Sequence, residues 1–312
     1  MSTESFIFEG GPHRHELITE LIEDLGGWII QKKIMAQEIT LTFIIPEADI
    51  PLVREKALQL RGSLREQPLL GTEVAVIAPT IARHHLPHLL CDIAEYLRRL
   101  GAKTNMVGLA RGVGQRIAQL STTEKKIIEE HDVAVFVFGN FEYCLKEHKW
   151  KLYEDLTIPF VITGGPDLPS VPHADYYIGN IGRLPYRFRL LDEFDKLQQI
   201  STAVSKCAQK VRAVLEHDPL LLSPYAVKEE IERQVPEIQR VLSPTPIVPQ
   251  IRGLRIKLPF PQFQEKIANV KIGEYLLSEI AEIAQSNFRN YILVKFLPRS
   301  QIAIKKEDTK KN

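Results

Sequence analysis

Between residues 71 and 182, short apolar runs recur with helical stretches between them. EVAVIAP, KTNMVGLA, DVAVFVFGN, IPFVITGG and ADYYIGNIG each read as a strand. LPHLLCDIAEYLRRLG, with a glycine stop at Gly101, and TEKKIIEEH carry helical spacing. EVAVIAP is apolar almost throughout, as suits a strand covered on both faces. Alternation of this kind leaves few architectures open. It predicts an α/β fold with a Rossmann-like, mostly parallel sheet.

The flanks read differently. At the N-terminus, FIFEG, WIIQKK and the alternating ITLTFIIP are strands, and HELITELIEDLG is a helix ending at Gly26 and Gly27. EADIPLVREKALQLRGSL reads as a second helix, with Leu52, Ala57 and Leu60 on one side. This order fits a ferredoxin-like half or an extension of a larger sheet. After the middle domain comes a long helical run ending before Asp218-Pro219, then a helix that Pro236 breaks. LSPTPIVPQ reads as a stiff proline-rich connector. GLRIKLPF, ANVKIGEYLLSEIAEIAQS and YILVKFLP read as strands around a helix. The expected division is an N-terminal α+β lobe over 1–67, the Rossmann-like domain over 68–182 and a helical segment over 183–243. A C-terminal α+β lobe over 244–304 and a charged, disordered tail over 305–312 complete it.

Composition narrows the function classes. With 40 Lys and Arg against 39 Asp and Glu, the formal charge is +1. That balance supports neither nucleic-acid binding nor a membrane-surface role. The three cysteines, Cys91, Cys144 and Cys207, are far apart and odd in number, which suits free thiols in a reducing cytoplasm. The apolar runs are too short to span a bilayer.

In parallel sheets, ligands gather outside the carboxyl ends of the strands. Four features converge on that edge if the strands are parallel. ARHHLPHLLCD, after the first strand, holds Arg83, His84, His85, His88 and Cys91. His84, His88 and Cys91 are spaced i, i+4, i+7 and share one helix face. Imidazole and thiolate are ligands for zinc, iron and iron–sulfur centres. The alternative is a helix start whose histidines cap, hydrogen-bond or line an interface. Gly112 and Gly114 follow the second strand in LARGVGQR, beside Arg111 and Arg116. They can turn backbone amides toward an anion or simply allow a tight turn. Their spacing matches neither phosphate-loop nor dinucleotide motifs, so no ATP site is expected in this chain. Asn140 and Cys144 follow the third strand, Cys144 in a helix's first turn, where the dipole favours anions. A small packing residue accounts for Cys144 equally well. Gly164 and Gly165 follow the fourth strand. Cys207, inside the long helix, reads as core, and Glu129 and Glu130 as a solvated helix face.

Several long phrases carry a family resemblance. FEGGPHRHELITELIEDLGG, TEVAVIAPTIARHHLPHLLCDIAEYLRRLGAKTNM, GLARGVGQRIAQL, FVFGNFEYC, VKEEIERQVPEIQRVLSPTPI and YILVKFLP resemble methanogenesis marker protein 7. The resemblance spans nearly the whole chain. It implies a methanogenic or methane-oxidising archaeon and a subunit of the ATP-dependent machinery that reductively activates methyl-coenzyme M reductase. That enzyme's nickel cofactor, coenzyme F430, works as Ni(I). Implied partners are the reductase, other methanogenesis marker proteins, reductase operon protein C and a separate ATP-binding component. The implied cofactor is an iron–sulfur cluster related to nitrogenase cofactor precursors and shared with partner subunits. Three thiols cannot supply four cysteine ligands, so such a cluster needs histidines, a non-protein ligand or a partner's thiols. A free-standing enzyme with a Rossmann-like pocket for a nucleotide or tetrapyrrole precursor is the alternative, and an adaptor without cofactor a third.

Overall fold

In the computed structural model, residues 3–78, 89–109, 120–181 and 190–303 are described. The chain divides into two compact units. One runs through Leu70 and takes in Arg99–Gly101, and the other comprises the rest.

The first unit holds β1 (Thr3–Gly10), α1 (Glu16–Asp24), β2 (Trp28–Ile34), β3 (Ile39–Pro46), α2 (Ile50–Gln59) and β4 (Ser63–Glu66). Its antiparallel sheet has the order β2-β3-β1-β4, the split βαβ arrangement of ferredoxin-like folds. Ile39, Leu41, Phe43 and Ile45 alternate into the core with Phe6 and Phe8, against Ile18, Ile22, Val53 and Ala57. The second helix is shorter than the sequence suggested, and Val53 replaces Leu52 on its buried side; Leu52 is exposed. Arg61, with φ of 53°, turns the chain out of the helix. Gly62 then lies against the Phe8 ring, where a Cβ would come within 2.2 Å. Residues 63–66 are therefore free to form β4.

The second unit is built on five parallel strands: β5 (Glu73–Ala78), β6 (Lys103–Gly108), β7 (Val133–Val137), β8 (Phe160–Thr163) and β9 (Tyr177–Ile178). Their order is β6-β5-β7-β8-β9. This is the doubly wound order with its switch point between β5 and β7, and the expected α/β class holds. α3 (Leu89–Arg99) packs on one face, where Thr104 Oγ1 donates to the Ala94 carbonyl at 3.3 Å. α4 (Thr122–Glu129) and α5 (Glu142–Glu147) cover the other, burying Ile128 and Leu145 with Ala75, Ile77, Val107 and Phe136. α6 (Leu190–His217) packs along β7, β8 and β9. α7 (Pro224–Gln234) stops before Pro236, as its sequence predicts.

The C-terminal part has β10 (Ile247–Gln250), β11 (Gly253–Ile256), α8 (Phe260–Ala268), the hairpin β12 (Lys271–Ile272) and β13 (Tyr275–Leu276), α9 (Leu277–Ile280), β14 (Ala281–Gln285) and β15 (Ile292–Phe296). The antiparallel order is β10-β11-β15-β14. Two readings change here. The end of the proline connector is a strand, tolerated because β10 lies at the sheet edge, where Pro249 need not donate. EYLLSEIAEIAQS, helical in spacing, becomes a hairpin strand, one helical turn and β14, because β14 pairs with β15 along its whole length. No helix among the described residues is long and apolar enough to cross a membrane.

Candidate functional site

At the carboxyl edge, backbone bonds tie the loops after β7 and β8 together. Phe138 N–H donates to the Thr163 carbonyl at 2.9 Å, and Gly165 N–H to Gly139 at 3.2 Å. Gly164 N–H reaches Ile178 at 3.2 Å, and Ile181 N–H returns to Gly164 at 3.1 Å. Asn140, Gly164 and Gly165 are thus brought together. A Cβ on Gly165 would fall 1.8 Å from Asn140 Oδ1, and one on Gly164 would fall 2.9 Å from the Tyr177 hydroxyl. Close approach to side chains of the fold itself requires both glycines. Tyr177 donates to the Pro166 carbonyl at 2.7 Å, and burial, with Asp167 and Glu142 nearby, pushes its phenol up to about 12. Phe141 is 79% exposed and Tyr143 69% exposed, beside the half-buried Cys144. These two aromatic rings stand in solvent next to the switch point.

Cys91 is exposed in the first turns of α3, its Sγ 3.9 Å from Met106 Sδ. Met106 shares its face of β6 with Thr104, which meets α3, whereas Val107 on the opposite face packs with Leu145 of α5. Cys91 and Cys144 are therefore carried on helices on opposite faces of the sheet. His84, His85, His88, Gly112 and Gly114 lie outside the described residues. Among the described residues no three of His, Cys, Asp and Glu are grouped to hold a metal ion. Cys91 and Cys144 do not by themselves fit a metallocluster. Cys207 is in the core, as read; burial pushes its thiol up to about 11.

The densest polar constellation lies at the other end of the sheet, and sequence reading missed it. Arg255 of β11, 1% exposed, places Nε 3.0 Å from both oxygens of Glu73 and Nη1 2.8 Å from Glu130 Oε2. Ser286 Oγ donates to Glu130 at 2.6 Å, and Asn287 supplies its backbone N–H and its side-chain amide at 2.6 and 2.9 Å. Burial alone would raise the Glu130 carboxyl; the bonds from Ser286, Arg255 and Asn287 outweigh it and hold the group low. Glu130 is thus buried, not on a solvated face. Its neighbour Glu129 does stay toward solvent, accepting from Thr157 N–H and Oγ1 at 2.9 Å. Gln250 Nε2 reaches Glu73 at 2.5 Å and the Glu130 carbonyl at 2.7 Å. Asp132 accepts from Glu73 N–H at 2.8 Å and Ile251 N–H at 3.1 Å, and burial pushes its carboxyl up to about 7. His131 is buried, with Nδ1 2.9 Å from the Ile127 carbonyl and Nε2 3.0 Å from Asn105 Nδ2. The first contact needs a proton on Nδ1, and Asn105 then donates to Nε2, so the ring is neutral. Burial accordingly lowers its pKa. Every buried charge here has a partner, and the constellation joins the parallel sheet to the C-terminal one.

The sequence matches the family described as methyl-coenzyme M reductase operon protein C over residues 3–270. An uncharacterized protein of Methanocaldococcus jannaschii is 46% identical over 295 residues, covering 95% of this chain and 94% of that protein. The finer resemblance to marker protein 7 goes beyond what this match states. Residues 3–270 cover most of both units, so the chain belongs to the methyl-coenzyme M reductase operon protein C family and is linked to the methyl-coenzyme M reductase system.

Proposed function

We propose that this chain is a marker protein 7-type subunit of the ATP-dependent assembly that reductively activates methyl-coenzyme M reductase, working in the cytoplasm by holding partner proteins together. The observation that carries this reading is membership in a family named for the reductase operon. The exposed Phe141 and Tyr143 beside the switch point support it, since exposed aromatic side chains are favoured contact residues at protein interfaces. Partners in this reading are the reductase, other marker proteins and a separate ATP-binding component. Reductase operon protein C, expected as a further partner, is by its name a relative of this chain. An iron–sulfur cluster for electron transfer toward the nickel cofactor would draw its other donors from partner chains, with Cys91 as the exposed thiol on this one.

Anaerobic co-purification on the tagged full-length chain, with iron analysis of the eluate, tests this. The reductase and its activation components should co-elute, and Phe141→Ser with Tyr143→Ser should reduce their recovery about tenfold or more without moving the melting temperature. Cys91→Ser should lower the iron of the assembly and leave its composition intact. Recovery of the native chain free of every reductase component would refute the reading.

A further inference from the structure

At the amino-terminal edge of the parallel sheet, cations gather around the Arg255 joint without carboxylates of their own. Lys103 opens β6 in register with Glu73. Arg255 occupies both oxygens of Glu73, and Lys257 lies two residues beyond it, just past the end of β11. Lys257 Nζ donates to Ser243 Oγ at 2.7 Å. Arg289 reaches the same neighbourhood through Phe288, whose ring carries the guanidinium groups of Arg255 and Arg289, each 5.5 Å from its centroid. The backbone of Arg289 has φ of 73°, a left-handed conformation uncommon outside glycine. Among the described residues, Lys103, Lys257 and Arg289 form no ion pair.

We propose that Lys103, Lys257 and Arg289 form a binding site for a multiply charged oxyanion, the phosphate or carboxylate group of a small molecule. Two ammonium groups and a guanidinium fork are the donors such groups take. The site stands apart from the carboxyl edge and does not depend on the assembly role proposed above. Its electrostatics agree. Burial, then Lys103, with Arg289 and Arg255 adding to them against the opposing pull of Glu73, together lower the Lys257 amine to about 8. Burial likewise lowers Lys103, with Arg98 adding to it and Glu73 opposing. Like charges held together and half-desolvated disfavour their own ionisation, and a bound anion reverses that.

Thermal unfolding of the full chain in inorganic phosphate and in malonate, against chloride at matched ionic strength, tests the site. At least one oxyanion should stabilise saturably, and at about 100 times its half-saturating concentration the unfolding constant should fall about 100-fold. Response to phosphate alone or malonate alone identifies the group recognised. The effect should be larger at pH 7, where Lys257 is cationic, than at pH 9.5. Lys257→Gln and Lys103→Gln should remove it while matching or exceeding the parent's stability in chloride. Arg289→Gln, at an exposed position, should weaken it without disturbing the fold. An absence of any saturable effect beyond chloride, or its survival undiminished in all three variants, would overturn the site.

Discussion

Arg255 is the residue on which the second unit turns, and its chemistry sets what replacement does. A buried ion pair adds little net stability over a well-packed apolar one, but removing one partner strands the others. Arg255→Met should therefore cost about 3–5 kcal/mol, read as a lower denaturant midpoint with an unchanged slope. A loss below about 1 kcal/mol would mean that water reaches Glu73 and Glu130. This joint was illegible in the sequence. Glu130 follows Glu129 in an amphipathic helix end, and nothing local marks which of the two is buried. Its partner lies 125 residues away, and only the meeting of two sheets decides the matter. Cys207, by contrast, was legible, because its surroundings within one helix already place it in the core.

At the scale of elements, the alternating β3 and the apolar β5 and β7 were readable because their patterns match the faces they bury. β10 and β14 were not. The first carries a proline that only an edge position permits, and the second has a spacing that pairing with β15 overrides. α4 carries a start signal of its own. Ser121 Oγ accepts the Glu124 N–H at 3.2 Å, and Glu124 accepts the Ser121 N–H at 2.8 Å, a capping box in the order S-T-T-E. Ser121→Ala should cost about 0.5–2 kcal/mol, with hydrogen exchange rising first in the early turns of α4. Uniform exchange across the sheet would show that the cap supports more than its helix. Of the candidate site, the meeting of Asn140, Gly164 and Gly165 was legible from the parallel topology. The separation of Cys91 from Cys144 was not, because a strand's two faces are assigned only by what packs on each.

For the whole molecule, pH acts mainly through the joint. His131 is lowered by burial and Glu130 is held low by its bonds. Each stabilises fully above its unfolded value, 6.5 and 4.5, and that stability is lost as pH falls through the folded value. Asp132, raised to about 7, works the other way, adding stability at acid pH that is lost as pH rises through that value. In the parent the gain at Asp132 offsets the loss at His131, so the test is a difference: in denaturant melts at a series of pH values, the stability of the parent relative to His131→Asn should fall as pH drops below 6.5. A difference that stays constant from pH 7 down to pH 4 would show that His131 is not held neutral. Residues 68–216 span the five parallel strands and almost all of α6. That fragment lacks Gln250, Ile251 and Arg255, so expressed alone it should be unfolded or aggregated; a cooperative melt would contradict this. The same joint bears on how the chain is made. All five parallel strands have left the ribosome once Ile178 has, but the carboxylates at their base wait for Arg255, 182 residues after Glu73. Until then the emerging sheet cannot close without trapping unpaired charge. Folding of this unit is thereby tied to the synthesis of β11, and a nascent chain stalled before Arg255 holds its sheet open at the base.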